Sequence, residues 1–298
     1  MNNPKTEHGR QSLVMQVVRL LLIGALLVLH IPISFSQGPQ TQTAVAPKPA
    51  FSNLAAFEEE FKAVPCKGNS DRLKAVQALF ERVGAPASNI SIEKAASTKN
   101  LIIRKPGVSS EIIVIGAHYD KVDHGCGAVD NWTGIVTIAH IYKTIKDFPT
   151  RKTVLFAAFG SEEAGLIGSG EMVKAINKDQ LSGYCAMINI DSLGLSNPQA
   201  YTTISSKKLV ALSGDLAKRM QIPFQQVSLR GADGDSSSFL ERKIPAITIG
   251  GLSSDWQQVL HTNQDQTSRV DPRSVYAGYK LALGLYGEIE NSACDAFR

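Results

Sequence analysis

The sequence lacks the features that mark several protein classes. Its four cysteines include no Cys-x-x-Cys spacing, so nothing indicates a metal site built from cysteines. The formal net charge is only +4, and no basic field indicates nucleic-acid binding. No internal repeat is present. With 43% hydrophobic and 19% charged residues, most of the 298-residue chain is predicted to be globular and not disordered.

The first 36 residues differ from the rest. Arg10 and Arg19 precede the apolar stretch from Leu20 to Leu29, and small residues follow up to Ser36. This pattern predicts a secretory signal peptide cut after Ser36. The alternative is a retained anchor over residues 13–35, which the short apolar run disfavours. We therefore expect a secreted or periplasmic protein, with membrane contact only if the segment stays as an anchor.

Removing residues 1–36 takes away three basic residues and one acid, which lowers the net charge to +2. Residues 37–50 are rich in Gln, Thr, Pro and Ala, and they predict a flexible linker. Residues 51–298 then form the predicted catalytic domain. The four cysteines permit disulfides in an exported chain, and their pairing is open from the residues alone. We favour Cys66 with Cys294, which would join the two ends of the domain.

Helical and strand patterns alternate along this domain and predict an α/β fold. Helices are expected at 53–63, from an N-cap at Ser70 through Phe80, after Asp130, at 169–176, 207–220 and 274–290. Strands are expected at 90–93, 101–104, 112–115, 154–159, 185–190 and 246–249.

Five short stretches carry acids and histidines. They are Gly116-Ala117-His118-Tyr119-Asp120, Val129-Asp130-Asn131, Ser161-Glu162-Glu163-Ala164-Gly165-Leu166, Asn189-Ile190-Asp191 and His261-Thr262. His118, Glu162 and Asp191 each follow an apolar, β-branched run that predicts a buried strand. Sites in open α/β sheets form outside the carboxyl ends of the strands, so we expect these three side chains to converge on one crevice.

Three of the stretches also have a simpler interpretation. Asp130 precedes an apolar helical face and could be an N-cap instead of a carboxylate that bridges two cations. An acid pair such as Glu162 and Glu163 is usually solvated, but the apolar strand before it favours a buried pair compensated by cations. One glutamate could then bind metal while the other acts as a general base. A lone His261 would more often be a structural residue.

Together the five stretches resemble the co-catalytic dinuclear zinc aminopeptidases, whose relatives include secreted bacterial leucyl aminopeptidases, glutamate carboxypeptidases and glutaminyl cyclases. The resemblance covers roughly residues 101–285, and the string from Ser161 to Ser169 nearly completes the family's signature for that loop. It implies a single-domain three-layer sandwich, with a mixed, mostly parallel central sheet and helices on both faces. It also implies two zinc ions per chain and a peptide substrate with a free N-terminus.

The resemblance assigns roles position by position. Two residues correspond to ligands of one zinc, two to ligands of the other, and one to the bridge between them: His118 and Asp191, Glu163 and His261, and Asp130. Glu162 corresponds to the general base, and Asp120 to the acid that orients His118. One departure is Ser236, which stands after Asp235 where relatives carry a histidine.

Three rival functions remain. A glutaminyl cyclase would use one zinc to cyclise an N-terminal Gln. A carboxypeptidase or dipeptidase would carry an added domain, for which the 70 residues between Asp191 and His261 are too few. A non-catalytic binding module on the same fold would have lost ligands. The complete ligand set favours a zinc aminopeptidase.

Overall fold

A computed structural model describes residues 51–298. The predicted signal peptide or anchor at 1–36 and the predicted linker at 37–50 therefore lie outside the described residues. Within residues 51–298, no helix combines the length and apolar character needed to cross a membrane.

The centre of the described domain is one mixed sheet of eight strands. Their order across the sheet is β1-β2-β4-β3-β5-β8-β6-β7. The strands are β1 (Ile90–Ala95), β2 (Thr98–Lys105), β3 (Ile112–His118), β4 (Thr153–Phe159), β5 (Tyr184–Ile190), β6 (Gln199–Tyr201), β7 (Gln225–Val227) and β8 (Ala246–Gly250). The four central strands β4, β3, β5 and β8 run parallel to one another. Every residue of β4 is buried, as expected for a strand covered on both faces.

Seven helices cover the two faces of the sheet within the described residues. They are α1 (Leu54–Lys62), α2 (Asn69–Arg82), α3 (Thr133–Ile145), α4 (Ile167–Lys174), α5 (Lys207–Met220), α6 (Asp235–Glu241) and α7 (Pro272–Asn291). Alternate side chains of a strand point to opposite faces. Leu101 and Ile103 accordingly join the core beneath α1, α2, α3, α5 and α7, whereas Ile102 joins the core beneath α4 and α6. The predicted three-layer α/β architecture is confirmed.

The structure differs from the sequence-based expectations in three details. Helix α2 begins at Asn69 after Gly68, and no side chain caps it, so the predicted N-cap at Ser70 is wrong. Strands β6 and β7 were not predicted, because three residues are too few to establish a two-residue period. Helix α6 has only seven residues and likewise gives no helical period of its own.

The predicted Cys66–Cys294 disulfide is wrong. Cys66 is bonded to Cys126, and Cys185 is bonded to Cys294. The turn after α7 brings Cys294 to the start of β5, where its Cα lies 4.4 Å from that of Cys185. The first bond instead joins the segment before α2 to the loop that leads to Asp130, so one end of the candidate site is covalently held.

Candidate metal centre

The predicted site residues meet at the carboxyl ends of the central strands. His118 is the last residue of β3, and Asp191 directly follows β5. Glu162 and Glu163 follow β4 after a two-residue turn. Because β4, β3 and β5 are adjacent and parallel, their carboxyl ends share one edge of the sheet. The predicted convergence is therefore observed.

Asp130 lies at the centre of this cluster, between two histidines. Its Oδ1 is 3.1 Å from His118 Nε2, and its Oδ2 is 3.1 Å from His261 Nε2. On the outer side of each histidine lies one further carboxylate: Asp191 Oδ1 is 3.6 Å from His118 Nε2, and Glu163 Oε2 is 3.0 Å from His261 Nε2. The five residues thus form two His–carboxylate pairs that share the carboxylate of Asp130.

Asp120 contacts both His118 and the loop that carries Glu162 and Glu163. Its Oδ1 lies 3.5 Å from His118 Nδ1, on the ring edge that faces away from Asp130. The same carboxylate accepts hydrogen bonds from the backbone N–H groups of Glu162 and Glu163, at 3.0 and 3.2 Å. One buried side chain therefore sets both the imidazole of β3 and the start of the acidic loop.

Three residues of the site have left-handed backbone conformations that side chains usually avoid. Ser161 precedes Glu162 with φ 57°, Ser192 follows Asp191 with φ 55°, and His261 itself has φ 60°. Such conformations in residues other than glycine typically cost of order 1 kcal/mol or more and cluster at functional sites. Ser161 and Ser192 lie in the turns that follow β4 and β5, directly beside Glu162 and Asp191.

The loop that carries Asp130 is fixed by the next residue. The Asn131 side chain donates a hydrogen bond to the Ile190 carbonyl at 2.8 Å and accepts bonds from the N–H groups of Gly134 and Ser192, at 3.0 and 3.2 Å. A Cβ on Gly134 would lie 2.3 Å from the Asn131 oxygen, so the close approach requires glycine. The end of β5 and the start of α3 are thereby joined. Asp130 caps no helix, which removes its simpler interpretation.

Sequence reasoning missed two residues that support these loops. Asp265 is buried and accepts the N–H groups of Val129 and Asp130, at 2.7 and 3.1 Å. Arg72, also buried, donates to the carbonyls of Tyr119, Cys126 and Gly127, and its guanidinium lies 5.5 Å from the centre of the Trp132 ring. An arginine on α2 gives no sequence signal for this role. Asp265, four residues after His261, gives only a weak one.

Burial and the nearby carboxylates raise the pKa values of the two glutamates in the acidic loop. Burial, together with the negative charges of Asp191, Asp235 and Asp130, raises the pKa of Glu162 to about 10 against the opposing effect of His118. Burial and Asp130 also raise the pKa of Glu163. Burial is the larger cause for both glutamates, and the neighbouring negative charges add to it. Cations placed there would lower both pKa values.

The pKa values of the two histidines are raised as well. Hydrogen bonds to Asp130 and Glu163 raise the pKa of His261 to about 10. Burial opposes protonation of His118, yet Glu162 and the three neighbouring aspartates raise its pKa well above the usual value. The same two histidines lower the pKa of Asp130 although burial works against this. Protons on the imidazoles thus supply the positive charge that the carboxylates attract.

This donor set fits zinc. Zinc binds imidazole nitrogen and carboxylate oxygen at about 2.0–2.2 Å, so two ligand atoms on one ion lie at most about 4.4 Å apart. The His118–Asp130 and His118–Asp191 separations of 3.1 and 3.6 Å meet this limit, as do both separations from His261. In addition, Glu163 Oε1 is buried without a hydrogen-bond partner among the described residues. An unsatisfied buried oxygen beside histidine is a suitable metal ligand.

The cluster opens into a cavity of about 440 Å³. Its lining includes the acids and histidines of the cluster, His118, Asp130, Glu162, Glu163, Asp191 and His261. It also includes the apolar residues Ile204, Leu229, Leu252, Trp256 and Leu260. Small-molecule sites commonly combine an apolar pocket of this size with a few polar groups.

The residue that departs from the family pattern lies outside this cavity. Ser236 is buried; its hydroxyl donates to the Ile204 carbonyl at 2.8 Å and lies 2.6 Å from Thr248 Oγ1. Neighbouring Asp235 is fully buried, and burial raises its pKa to about 7. Ser236 therefore contributes to the packing between α6 and β8 and does not line the pocket.

Several known proteins are similar to this chain in sequence or in fold. A probable lipoprotein aminopeptidase of Mycobacterium tuberculosis is 26% identical over 276 residues, which span 86% of this chain and 50% of the relative. The chain spans half or less of the length of its first curated relatives. A zinc aminopeptidase from Bacillus subtilis superimposes with TM-score 0.59 at 23% identity, over 67% of this chain and 53% of the other. A glutaminyl cyclase of an Acidobacteriales bacterium gives TM-score 0.68 at 16% identity, over 83% and 97%.

A family model decides the assignment. The model of "Peptidase family M28" matches residues 100–285, well over half of the chain and nearly the same residues as the resemblance seen in the sequence. All seven predicted site residues lie within the matched range. The prediction of a peptidase is confirmed at the level of the family. The chain belongs to peptidase family M28.

Proposed function

We propose that this chain is an aminopeptidase that removes N-terminal residues from peptides with two zinc ions. His118 and Asp191 would hold one ion, Glu163 and His261 the other, and Asp130 would contact both. The observation that carries the proposal is the position of Asp130, whose two oxygens each lie 3.1 Å from a different histidine. A carboxylate shared in this way is suited to two cations side by side.

The ions, when bound, would make water more acidic and polarise the scissile carbonyl. Glu162 is the group placed to move the proton. It lines the same cavity as the five proposed ligands and is not one of them. We infer that it takes a proton from the attacking water as the carbon–oxygen bond forms. It then gives that proton to the leaving nitrogen as the peptide bond breaks.

Asp120 acts through other groups in this proposal. A metal-bound imidazole usually donates its second N–H to a carboxylate or carbonyl. His118 Nδ1 has both within reach in Asp120, whose Oδ1 and backbone oxygen lie at 3.5 and 3.3 Å. Asp120 would therefore orient His118 and hold the backbone of the acidic loop, without contact to the substrate.

The cavity supports cleavage at a free N-terminus. Its carboxylates attract the positive α-amino group, and Glu163 Oε1, which has no hydrogen-bond partner among the described residues, could accept a hydrogen bond from that group or ligate the metal. The apolar lining residues, including Trp256 and Leu260, would receive an uncharged first side chain. We therefore expect peptides with leucine-like N-terminal residues to be preferred. The lipoprotein relative's name and the predicted signal support export of the chain.

A glutaminyl cyclase remains the second candidate, because the solved cyclase is covered over 97% of its length. Metal content and activity measured together separate the two. We expect about two zinc ions per chain and hydrolysis of aminoacyl anilides, lost by at least about 10²-fold in Glu162→Gln. The matched control is Glu171→Gln in α4, a half-buried glutamate that pairs with Lys174 at 3.1 Å and does not line this cavity; this variant should keep full activity.

The alternatives give different results. One zinc per chain with cyclisation of an N-terminal Gln peptide and no anilide hydrolysis would establish the cyclase. Zinc binding without either reaction would indicate a binding module. Full anilide hydrolysis by Glu162→Gln would remove Glu162 from its proposed role while leaving the aminopeptidase intact.

A further inference from the structure

Asp265 connects the two loops that carry the proposed ligands of the second ion. It lies four residues after His261 and is only 2% exposed. Its two carboxylate oxygens accept separate hydrogen bonds, from the N–H of Val129 at 2.7 Å and from the N–H of Asp130 at 3.1 Å. Both donors belong to the loop of the shared carboxylate. The side chain thus binds the backbone beside a ligand and not the ligand's own oxygens.

The backbone of Asp265 reinforces the same contact. Its N–H donates to the Thr262 carbonyl at 3.1 Å, which closes a turn directly after His261, and its carbonyl accepts the Cys126 N–H at 2.8 Å. The loops are close enough that a Cβ on Gly125 would lie 2.5 Å from the Thr262 oxygen, and Gly125 has φ +65°. Residue 265 therefore makes three hydrogen bonds to the segment 126–130.

We propose that Asp265 is a positioning residue that sets the affinity of the second zinc site by fixing Asp130 relative to His261. The inference rests on the proposed ligand roles of these two residues. Asp130 and His261 lie on different loops, 131 positions apart in sequence, and must be held at the observed 3.1 Å for one ion to use both. Two bonds to consecutive N–H groups fix the orientation of the peptide from which the Asp130 side chain projects.

A second aspartate makes the same kind of contact with the acidic loop. Asp120 accepts the consecutive N–H groups of Glu162 and Glu163, as Asp265 accepts those of Val129 and Asp130. The exposed His261, with 56% of its side chain accessible, has less packing to hold it than His118, with 1%. The second site consequently depends more on this loop-to-loop contact than the first.

Three variants of the purified chain test the proposal. Asp265→Ala leaves both N–H groups without their acceptor, whereas Asp265→Asn keeps one acceptor oxygen and the side-chain volume. Asp271→Ala is the matched control, because Asp271 also accepts a backbone N–H, from Arg273 at 2.9 Å, but at the start of α7 away from the site. Zinc dissociation constants are measured by competition with a chelator, and the unfolding midpoint of each metal-free chain is measured alongside.

We expect Asp265→Ala to weaken one of the two zinc sites by about 10–100-fold, as is typical when a partner of a ligand is removed. Asp265→Asn should lie between Ala and the parent, which a general loss of stability would not produce. Asp271→Ala should lower the unfolding midpoint and leave both zinc constants unchanged. If Asp265→Ala does not fold, the Asn variant decides the question with the same titration.

Two results would overturn the inference, and they differ. Parental zinc constants in Asp265→Ala and Asp265→Asn, with a parent chain that binds two ions, would reduce Asp265 to a structural residue and leave the proposed function standing. A parent chain that binds no zinc would overturn the proposed function and this inference with it.

Discussion

His140 should make the stability of the domain depend on pH. Its ring is 1% exposed, stacks on Phe57 with centroids 4.3 Å apart, and lies 2.6 Å from Ser52 Oγ through Nδ1. Burial, with smaller effects of Lys143 and Arg82, lowers the pKa of His140 from 6.5 to about 4. Between these values the unfolded chain binds a proton that the folded chain does not bind. The folded state is therefore favoured above pH 6.5 and loses stability as the pH falls towards 4.

The size of this effect follows from the two pKa values. A difference between 6.5 and about 4 corresponds to about 3 kcal/mol in full, of which about 2 kcal/mol is lost by pH 5. Other groups also titrate in this range, so the measurement compares variants and not the parent alone. Urea unfolding at pH 7.5 and pH 5 should show that the parent loses about 2 kcal/mol more than His140→Gln, which cannot titrate.

Exposed His124 provides the control. His124→Gln makes the same substitution at an exposed histidine, so the difference between the parent and His140→Gln is compared with the difference between the parent and His124→Gln. Equal pH dependence in the parent and in His140→Gln would refute the reasoning. It would mean that His140 takes up its proton in the folded state with its usual pKa, through a local opening near Ser52 or a different packing around α3.

Three further outcomes are expected. Gly134→Ala should lower the unfolding midpoint and weaken zinc binding because its Cβ would meet the Asn131 oxygen at 2.3 Å, whereas Gly170→Ala, with open space inside α4, should stabilise by up to about 1 kcal/mol. Removing the bond between Cys185 and Cys294, which closes a 109-residue separation, should cost about 2–5 kcal/mol in denaturant unfolding and leave zinc affinity unchanged. Zinc binding should release protons into weakly buffered solution at pH 7, because protonated imidazoles must become neutral to bind; no measurable release would refute the raised histidine pKa values.

The sequence predicts the strand ends well for a simple physical reason. A parallel strand buried on both faces must be apolar throughout, so the first acid or histidine after it stands out. His118 and Asp191 were located in this way, and β4 leads to the acidic loop similarly. Their closeness to one another follows from the rule that neighbouring parallel strands end at the same edge of a sheet. That rule needs only the order of the elements, not the details of any contact.

Other features could not be predicted because they depend on contacts between distant residues. Asp265 reaches Asp130 across 135 positions, and Arg72 reaches Cys126 across 54. Any aspartate or arginine on the surface has the same local pattern. The cysteine pairing failed for the same reason, since four cysteines allow three pairings and only the path of α7 decides among them.

The two kinds of feature divide the site into parts with different physical origins. His118 and Asp191 are set by the sheet, whose packed core leaves them little freedom. Asp130 and His261 lie on loops and are set by buried polar groups and by the Cys66–Cys126 bond near their base. Buried polar groups are costly unless fully paired, and such pairing fixes a single arrangement. A domain built in this way would keep its sheet when the second site is disturbed, so zinc affinity and unfolding should respond separately to substitutions in the loops.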